Sequence, residues 1–318
     1  MLQYLIILLD DTSTTYCHCD NPKHEANLMP LETLKKGIRF GMMENLMIQF
    51  VYPDYEMTQV YKDTVETIDH SKIVSSLTTD EELADEADVI VLHDWMSLQY
   101  YKFKEDKAYV LRTDKANLFD RFAFLKSVLG KVSRLNVVVT DVEAFTDGDF
   151  ERYNHILSEL ATEMKRLYVA GKSPQLNLLT DRIMLKEMNN CGAGESNITL
   201  APNGKFYVCP AFYYENEKDS VGDLEHGLDI KNKQLYRLDH APICRHCDAY
   251  QCKRCIWLNR KTTLEVNTPS HEQCVVAHME RNASRELLQK IGKCKNPLWH
   301  DYIEEIDYLD PFEKYQKI

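Results

Sequence analysis

Two closely spaced cysteine pairs constrain the fold of this chain more than any other feature. Cys244 and Cys247 form one CxxC pair, and Cys252 and Cys255 form a second after four intervening residues. Two CxxC turns this close put four thiolates within reach of one tetrahedral ion or one iron–sulfur cube. The residues between the cysteines are basic and favour the thiolate over the thiol; they are Arg245, His246, Lys253 and Arg254. The sequence therefore predicts a bound metal.

Disulfides are the competing interpretation of the cysteines, of which there are ten. Residues 1–10 have neither a basic n-region nor a small-residue cleavage site, which argues against a signal peptide. No apolar run is long enough to cross a bilayer. Cysteines in such number without export signals indicate a reducing compartment, where clustered thiols are metal ligands. We therefore expect metal sites rather than disulfides, a cytoplasmic location and no membrane partner.

The charge balance bears on the class of partner. The formal net charge is -12, whereas nucleic-acid binding needs a positive surface. A zinc ribbon on DNA would otherwise be the first interpretation of two CxxC pairs, and the charge argues against it. We expect no nucleic-acid partner. With 44% hydrophobic residues in 318 the chain can bury a proper core, and its length predicts one large domain plus a smaller one.

The first 185 residues alternate apolar runs with helical patterns. Several runs are continuous, which is typical of strands buried on both faces of a parallel sheet. The clearest helix starts after Asp147-Gly148-Asp149 and ends at Gly171, with its apolar residues on one face. This alternation predicts βα units in an open sheet or a complete or partial barrel, with function at the carboxyl ends of the strands. The predicted strands are Gln3–Leu9, Met47–Tyr52, Lys72–Ser75, Asp88–His93, Ala108–Arg112, Leu135–Thr140 and Gln175–Thr180.

The loop after the first predicted strand carries a second group of metal-binding residue types. Cys17, His18 and Cys19 lie together where a barrel enzyme would place its site. Two thiols and a histidine make an incomplete ligand set, so this is a weak candidate metal site. A pair of partly buried loop cysteines is the alternative, and we favour it slightly.

The character of the sequence changes from Cys191 onward. Residues 197–209 have the pattern of a β-hairpin, and Asn203-Gly204 predicts a type I′ turn. A single hairpin is marginal alone, so metal ligation is expected to supply much of this region's stability. Residues 284–291 predict a short amphipathic helix. The tail, 299–318, is acidic and aromatic, and we expect the helix and the tail to cover the core.

The order of cysteines resembles a known module. Cys191, Gly204, Cys209, the four cysteines of the two pairs and then Cys274 follow the order of the SPASM domain of radical S-adenosylmethionine enzymes. The resemblance implies two auxiliary four-iron clusters, with zinc as the alternative metal. It assigns Cys191, Cys209 and Cys255 to the first cluster, and Cys244, Cys247, Cys252 and Cys274 to the second. An open iron site for substrate, or a further ligand such as His271, would complete the first; His278 is taken as structural.

The resemblance breaks down in the N-terminal part. Radical enzymes of this class carry CxxxCxxC directly after the first strand, and here Asp10 and Thr14 replace the first two cysteines before Cys17. Neither residue is a good ligand for a redox cluster. A Gly-Gly-Glu segment should follow the second strand to bind the cofactor's amine, but residues 51–56 read Val-Tyr-Pro-Asp-Tyr-Glu. The chain is therefore predicted to bind no S-adenosylmethionine for cleavage.

Longer strings look like those of the maturases of CXXX-repeat peptides, notably 201–210, 252–259 and 267–274. The resemblance implies a partial (β/α) barrel of the radical type over 1–185 and a SPASM-like module with a helical tail over 186–318. It also implies a precursor peptide as partner, and a separate radical maturase or modification protein. Two other functions stay open: a catalytic maturase that uses a different metal site, and a structural zinc protein that binds a peptide or partner.

Overall fold

A parallel sheet forms the body of the protein, for which the computed structural model describes residues 2–292 and 303. Its first seven strands lie in the sheet in their order along the chain, and each pairs in parallel with the next. Every apolar run predicted as a strand overlaps one. The strands are β1 (Tyr4–Leu8), β2 (Met47–Val51), β3 (His70–Ser75), β4 (Val89–Leu92), β5 (Ala108–Thr113), β6 (Arg134–Val139) and β7 (Gln175–Leu176).

Helices connect the strands, so the fold is the predicted partial (β/α) barrel. The longest helix begins at a capping box between Thr146 and Asp149 and buries an apolar stripe against the sheet, as its sequence pattern predicts. Gly37 lets the first helix approach the sheet, because a Cβ there would lie 2.4 Å from Leu200 Cδ2. The connecting helices are α1 (Leu31–Met43), α2 (Gln59–Val65), α3 (Glu81–Glu86), α4 (Trp95–Tyr100), α5 (Lys115–Arg121), α6 (Ala123–Leu129) and α7 (Asp147–Val169).

The predicted hairpin extends the same sheet at its other edge. Strand β8 (Asn197–Leu200) pairs in parallel with β1, and β9 (Phe206–Tyr207) pairs antiparallel with β8. The predicted type I′ turn is wrong. The N–H of Gly204 donates to the carbonyl of Ala201, and Gly204 alone among the loop residues has a positive φ, of 75°. This is a three-residue loop with Pro202 as the first central residue of a type I turn, a position whose fixed φ suits proline.

Short elements surround the cysteine pairs, and one long helix follows them. The predicted helix over 284–291 begins much earlier, at His271, where the Ser270 side chain caps it. The apolar pattern does not reveal its first half because the buried face there carries polar side chains, including Gln273 and Arg281. The elements of this part are α8 (Asp181–Met184), α9 (Pro210–Glu215), β10 (Gly222–Asp223), β11 (Gly227–Leu228), α10 (Ile256–Thr263), α11 (His271–Ile291) and 3₁₀ turns at Glu217–Asp219, Lys233–Tyr236, Leu238–His240 and Cys244–His246.

The C-terminal part packs onto the barrel rather than standing apart. Helix α11 lies against α7, where Tyr153 donates a hydrogen bond of 2.7 Å to Glu280. The predicted tail, 299–318, falls outside the described residues except for the buried Ile303. Within residues 2–292, none of the helices combines the length and the apolar character needed to cross a bilayer.

Candidate metal centres and strand-end cavity

Hydrogen bonds to Asp10 hold the loop that follows β1 together. This carboxylate is fully buried and accepts hydrogen bonds from the backbone N–H of Thr12 at 2.7 Å and from its hydroxyl at 2.6 Å. Its other oxygen accepts from the hydroxyl of Tyr55 at 2.7 Å. Asp10 stands at the first cysteine position of the radical-enzyme motif, and Tyr55 lies in the segment that replaces Gly-Gly-Glu. The two altered motifs are therefore hydrogen-bonded to each other.

The side chain of Thr14, at the second cysteine position, also has a hydrogen-bond partner. Its hydroxyl oxygen lies 2.6 Å from Nε2 of His93, which follows the end of β4. Burial lowers the pKa of His93, so the ring is held neutral near pH 7. A neutral imidazole and a hydroxyl exchange one hydrogen bond without any charge that would attract a cluster.

Arg112, near the end of β5, holds the rest of this loop. Its buried guanidinium donates to the carbonyl oxygens of Cys17 and Cys19, both at 2.8 Å, and to the carboxylate of Asp20 at 2.7 Å. The carbonyl of Val139, at the end of β6, accepts from His18 Nδ1 at 2.9 Å. His18 is thus directed at the barrel wall, and burial lowers its pKa.

The same loop docks against α9 of the C-terminal part. Tyr214 donates a buried hydrogen bond of 3.0 Å to the carbonyl of Ser13, and Tyr213 donates to the Asp11 carboxylate. Lys23 donates to the Tyr213 hydroxyl at 3.2 Å and pairs with Glu217. Cys209 is the N-cap residue of α9, so these bonds fix the cysteine loop of the barrel beside Cys209.

Five thiols form what we call the barrel-side thiol group: Cys17, Cys19, Cys191, Cys209 and Cys255. Burial, and then the charges of Cys19, Cys209, Cys255 and Cys191, raise the pKa of Cys17 well above its usual range. Burial, and then Cys255, Cys19 and Cys191, do the same for Cys209. Burial and the charge of Cys191 raise the pKa of Cys255, while the N–H groups of Leu258 and Trp257 oppose the rise. Burial is the largest cause each time, and the neighbouring thiols add to it for Cys17, Cys209 and Cys255.

The other four thiols form the distal thiol group: Cys244, Cys247, Cys252 and Cys274. Burial and the charge of Cys274 raise the pKa of Cys244 to about 12, and Cys247 adds to the effect. Burial raises the pKa of Cys252 to about 12, with further contributions from Cys244 and Cys247. Cys274 also has a pKa of about 12, through burial and then Cys252 and Cys247. Because ligands must be deprotonated, metal binding here has to release protons.

Arg254 separates the two groups. Its φ of 44° is uncommon for a residue with a Cβ, and this turn directs Cys252 and Cys255 to different neighbours. The side chain is 3% exposed. Burial raises the pKa of both Cys191 and Cys244, and the charge of Arg254 opposes the rise. One guanidinium N–H donates to the carbonyl of Tyr236, but Nε and Nη1 have no hydrogen-bond partner. A buried cation between two thiol groups suits anionic clusters, which carry net negative charge when four thiolates bind them.

Helix α11 holds the distal thiol group in place through His278, which the sequence predicts to be structural, and through Arg281, which the sequence does not point to. Arg281 is fully buried and donates to Asp248 at 2.6 Å, directly after Cys247. Nε2 of His278 lies 3.5 Å from the sulfur of Cys247. With Cys274, these side chains recur at positions i, i+4 and i+7 of one helix face. That spacing is the signal that would have identified the helix and its role.

His271, the candidate extra ligand, lies at the start of the same helix. Its side chain is 77% exposed, 3.8 Å from the Glu272 carboxylate and edge-on to Phe150 of α7. Within residues 2–292, no three His, Cys, Asp or Glu side chains are arranged to hold a single metal ion. The donor set of both groups, all thiols, fits iron–sulfur clusters or zinc.

Two adjoining cavities open at the carboxyl ends of the barrel strands, where the fold is expected to place function. One of about 360 Å³ is lined by Thr14, Asp54, His93 and Arg112, among others. The next, of about 510 Å³, shares His93 and Arg112 and reaches Asp114. Both volumes are in the range of ligand sites. A depression of about 540 Å³ on the outside, between α1 and α2, has no thiol, imidazole or carboxylate in its lining.

Comparison with known proteins finds likeness in structure only. No protein-family profile and no curated sequence matches the chain. The structure of native anSMEcpe, an anaerobic sulfatase-maturating enzyme, with bound AdoMet and Cp18Cys peptide superposes with a TM-score of 0.61 and 12% identity, covering 91% of this chain and 99% of that one. A hexahistidine-tagged form with bound AdoMet gives 0.59 and 12%, covering 93% and 97%.

At this identity the likeness establishes the fold. The chain shares the fold of these anSMEcpe structures over nearly its whole length. The finer resemblance to the maturases of CXXX-repeat peptides stays a prediction, as do the boundary at residue 185 and the ligand sets.

Proposed function

We propose that this protein bears metal clusters in the maturation of a cysteine-containing, CXXX-repeat precursor peptide, and does not itself cleave S-adenosylmethionine. The observation that carries the proposal is the hydrogen bond between Tyr55 and Asp10. It joins the two places where the cofactor-cleaving cluster and the cofactor's amine would be bound. A buried, fully paired carboxylate at a cluster position leaves no ligand for a redox iron there.

The C-terminal thiols carry the metal in this proposal. Cys191, Cys209 and Cys255 would hold one cluster and the distal thiol group the other, with Arg254 between them. Such clusters supply a store or relay for single electrons. The chain's own contribution is to bury or partly bury all of these thiols except the exposed Cys191, offer backbone N–H groups to the sulfur of Cys255 and place the cation of Arg254 nearby.

The strand-end cavities would bind the peptide. Support comes from their place at the carboxyl ends of the strands and from solved neighbours of the same fold that contain a peptide. The carboxylates of Asp54 and Asp94 line them and would attract a basic segment. Turnover of the peptide would then need a separate radical maturase.

Anaerobic binding measurements test the peptide role. A fluorescent synthetic peptide with lysines flanking one cysteine is titrated with the wild type and with Asp54→Asn/Asp94→Asn. We expect binding by the wild type and a severalfold weaker affinity in the double variant. Asp106→Asn, an exposed carboxylate just before the start of β5, whose other end carries the cavity residue Arg112, is the matched control and should bind as the wild type does. No binding by the wild type, or equal weakening in the control, would contradict the proposal.

A further inference from the structure

The barrel loop contains a thiol whose place in the metal sites the resemblance leaves unassigned. Cys17 stands at the third cysteine position of the cluster motif, but Asp10 and Thr14 are bonded elsewhere. Three thiols of the C-terminal part, in turn, have no fourth partner among themselves. The chain therefore contains one thiol that lacks the other ligands of its motif, and one proposed set of three ligands that lacks a fourth.

Hydrogen bonds hold the barrel loop that carries Cys17 close to the segments that carry Cys209 and Cys255. Arg112 fixes the backbone of Cys17 from one side at 2.8 Å, and Tyr214 fixes Ser13 of the same loop from the other at 3.0 Å. Tyr214 belongs to α9, which begins directly after Cys209. Helix α9 is tied to α10 because Trp257 donates to Glu215 at 2.8 Å, and Cys255 is the N-cap residue of α10.

A backbone hydrogen bond holds Cys191 close to the segment that carries Cys255. Its N–H donates to the carbonyl of Lys253 at 3.1 Å, two residues before Cys255. The barrel loop, the hairpin and the second CxxC pair thus converge, and each brings a cysteine. We propose that Cys17 is the fourth ligand of the first metal centre, with Cys191, Cys209 and Cys255. The assignment rests on the metal-binding part of the function proposed above.

Cys17 fits this role better than its neighbours in sequence. It is partly accessible, and the hydrogen bond from Tyr214 to Ser13 holds its loop beside the helix that begins after Cys209. Cys19 is 2% exposed, and its sulfur lies 3.5 Å from the hydroxyl of Thr15 within the barrel. His18 is directed at Val139. His271 lies on α11, whose Cys274 belongs to the distal thiol group.

Ligation by Cys17 has two consequences. As the sulfur–metal bond forms, the thiol proton leaves to solvent, and no electron is transferred. The first centre then has four protein ligands, so it has no open iron for a substrate thiol. The ligand set also spans the two parts of the chain, since one ligand comes from the barrel and three come from the C-terminal module.

Matched variants of the full-length protein test the assignment. Cys17→Ser and Cys19→Ser are purified anaerobically beside the wild type, and iron, sulfide, zinc and the electron paramagnetic resonance spectrum are measured. Two four-iron clusters would give about eight irons per chain. We expect Cys17→Ser to lose roughly one to four of them and to change one of two spectral signals, and Cys19→Ser to match the wild type. If zinc is bound instead, zinc content gives the same comparison.

A rescue experiment separates ligation from folding. Cys17→Gly opens a coordination position, so added 2-mercaptoethanol should restore the wild-type signal; it should have no effect on Cys19→Gly. An unchanged signal in Cys17→Ser, or a change confined to the Cys19 variants, would overturn the assignment while leaving the metal-binding function intact. A wild type without metal would refute both.

Discussion

The barrel loop over 10–20 and the loop over 244–255 are alike in composition but differ in how their buried polar groups are paired. Both are largely irregular, both carry cysteines, and both bury charged side chains. In the barrel loop every buried side-chain N or O finds a partner within the described residues, and Asp10 alone accepts three hydrogen bonds. In the second loop, two nitrogens of the buried Arg254 have none. The buried polar side chains of the first loop are all paired within the protein, whereas the second loop leaves part of a buried cation unpaired.

This contrast supports the proposal that the chain lacks one metal site of the fold and has others. The buried carboxylate of Asp10 is tolerated because Tyr55 and Thr12 donate hydrogen bonds to it. Nothing comparable satisfies Arg254. Without a bound anion, burying these side-chain nitrogens with no hydrogen-bond partner would cost about 1–3 kcal/mol of folding free energy.

Removing a ligand of the distal thiol group should give the largest effect. Cys247→Ala is expected to expose 229–270, which has few regular elements between β11 and α10, since structural metal sites contribute as much as about 10–16 kcal/mol in small modules. Limited proteolysis with mass spectrometry checks this. The barrel, including the β8–β9 pair that extends its sheet, should stay protected.

The control for this variant is Arg245→Ala, an exposed residue between the same cysteines. It should resist protease as the wild type does. A Cys247→Ala protein as resistant as wild type would show that the thiols do not stabilise the fold.

Arg112→Met tests the claim that protein contacts, not metal, shape the barrel loop. It leaves the carbonyls of Cys17 and Cys19 without their donor, so we expect a loss of about 2–4 kcal/mol in the free energy of unfolding. Urea denaturation of chelator-treated protein measures it. Arg152→Met removes an exposed ion pair with Asp120 and a cation–π contact with the Phe119 ring at 4.7 Å, and should change stability by less than about 1 kcal/mol. Equal losses in both variants would contradict the claim.

Glu280 should make the stability of the C-terminal part depend on pH. Burial raises its pKa to about 7 in the folded protein from the usual 4.5, although Tyr153 donates a hydrogen bond that opposes the rise. The folded state then holds the proton more tightly than the unfolded state. Its contribution is present in full below about pH 4.5 and is lost as the pH rises through about 7, at about 1.4 kcal/mol for each pH unit between the two pKa values.

Glu280→Gln should flatten this part of the stability profile, measured as Tm between pH 5 and 8. The control, Glu286→Gln, changes an exposed carboxylate on the same helix and should retain the wild-type slope. A slope that survives in Glu280→Gln would assign the pH response to another group.

Tyr55→Phe should give the smallest effect, because it removes a single hydroxyl from Asp10. One lost hydrogen bond to a charged acceptor corresponds to about 1.5–3 kcal/mol, less where water enters to replace it. Tyr100→Phe, at a ring that is 73% exposed, is the control and should be neutral in the same thermal unfolding experiment. A neutral Tyr55→Phe would mean that the bond between the two altered motifs does not stabilise the loop.

Much of the barrel could be predicted from the sequence, because strands buried on both faces appear as continuous apolar runs. Residues that act through distant partners could not. Nothing near Asp10 points to Tyr55, which comes from the next strand end, and the left-handed turn at Arg254 has no signal in its residue type. The sequence pattern predicts too short a helix α11 because Arg281 and Gln273 interrupt its apolar face.

The ligand sets show the limit of spacing as a guide. Spacing alone favours Cys255 as the partner of Cys252, and the separation of the two came from the family resemblance. The thiols that influence Cys255 are Cys191 and Cys19, whereas Cys244 and Cys247 influence Cys252. The proximity of Cys17 to the first group depends on docking between the barrel loop and α9, which no local pattern encodes.

Measuring 5′-deoxyadenosine production tests most directly whether the barrel loop can hold a cluster that cleaves S-adenosylmethionine. The protein is reconstituted anaerobically with iron and sulfide, and S-adenosylmethionine and a strong reductant are added. We predict iron and sulfide bound to the chain but no 5′-deoxyadenosine above background, with or without the lysine-flanked cysteine peptide. Catalytic formation of 5′-deoxyadenosine by the isolated chain would contradict the account, because it would require a working cluster in the loop that Asp10 and Tyr55 close.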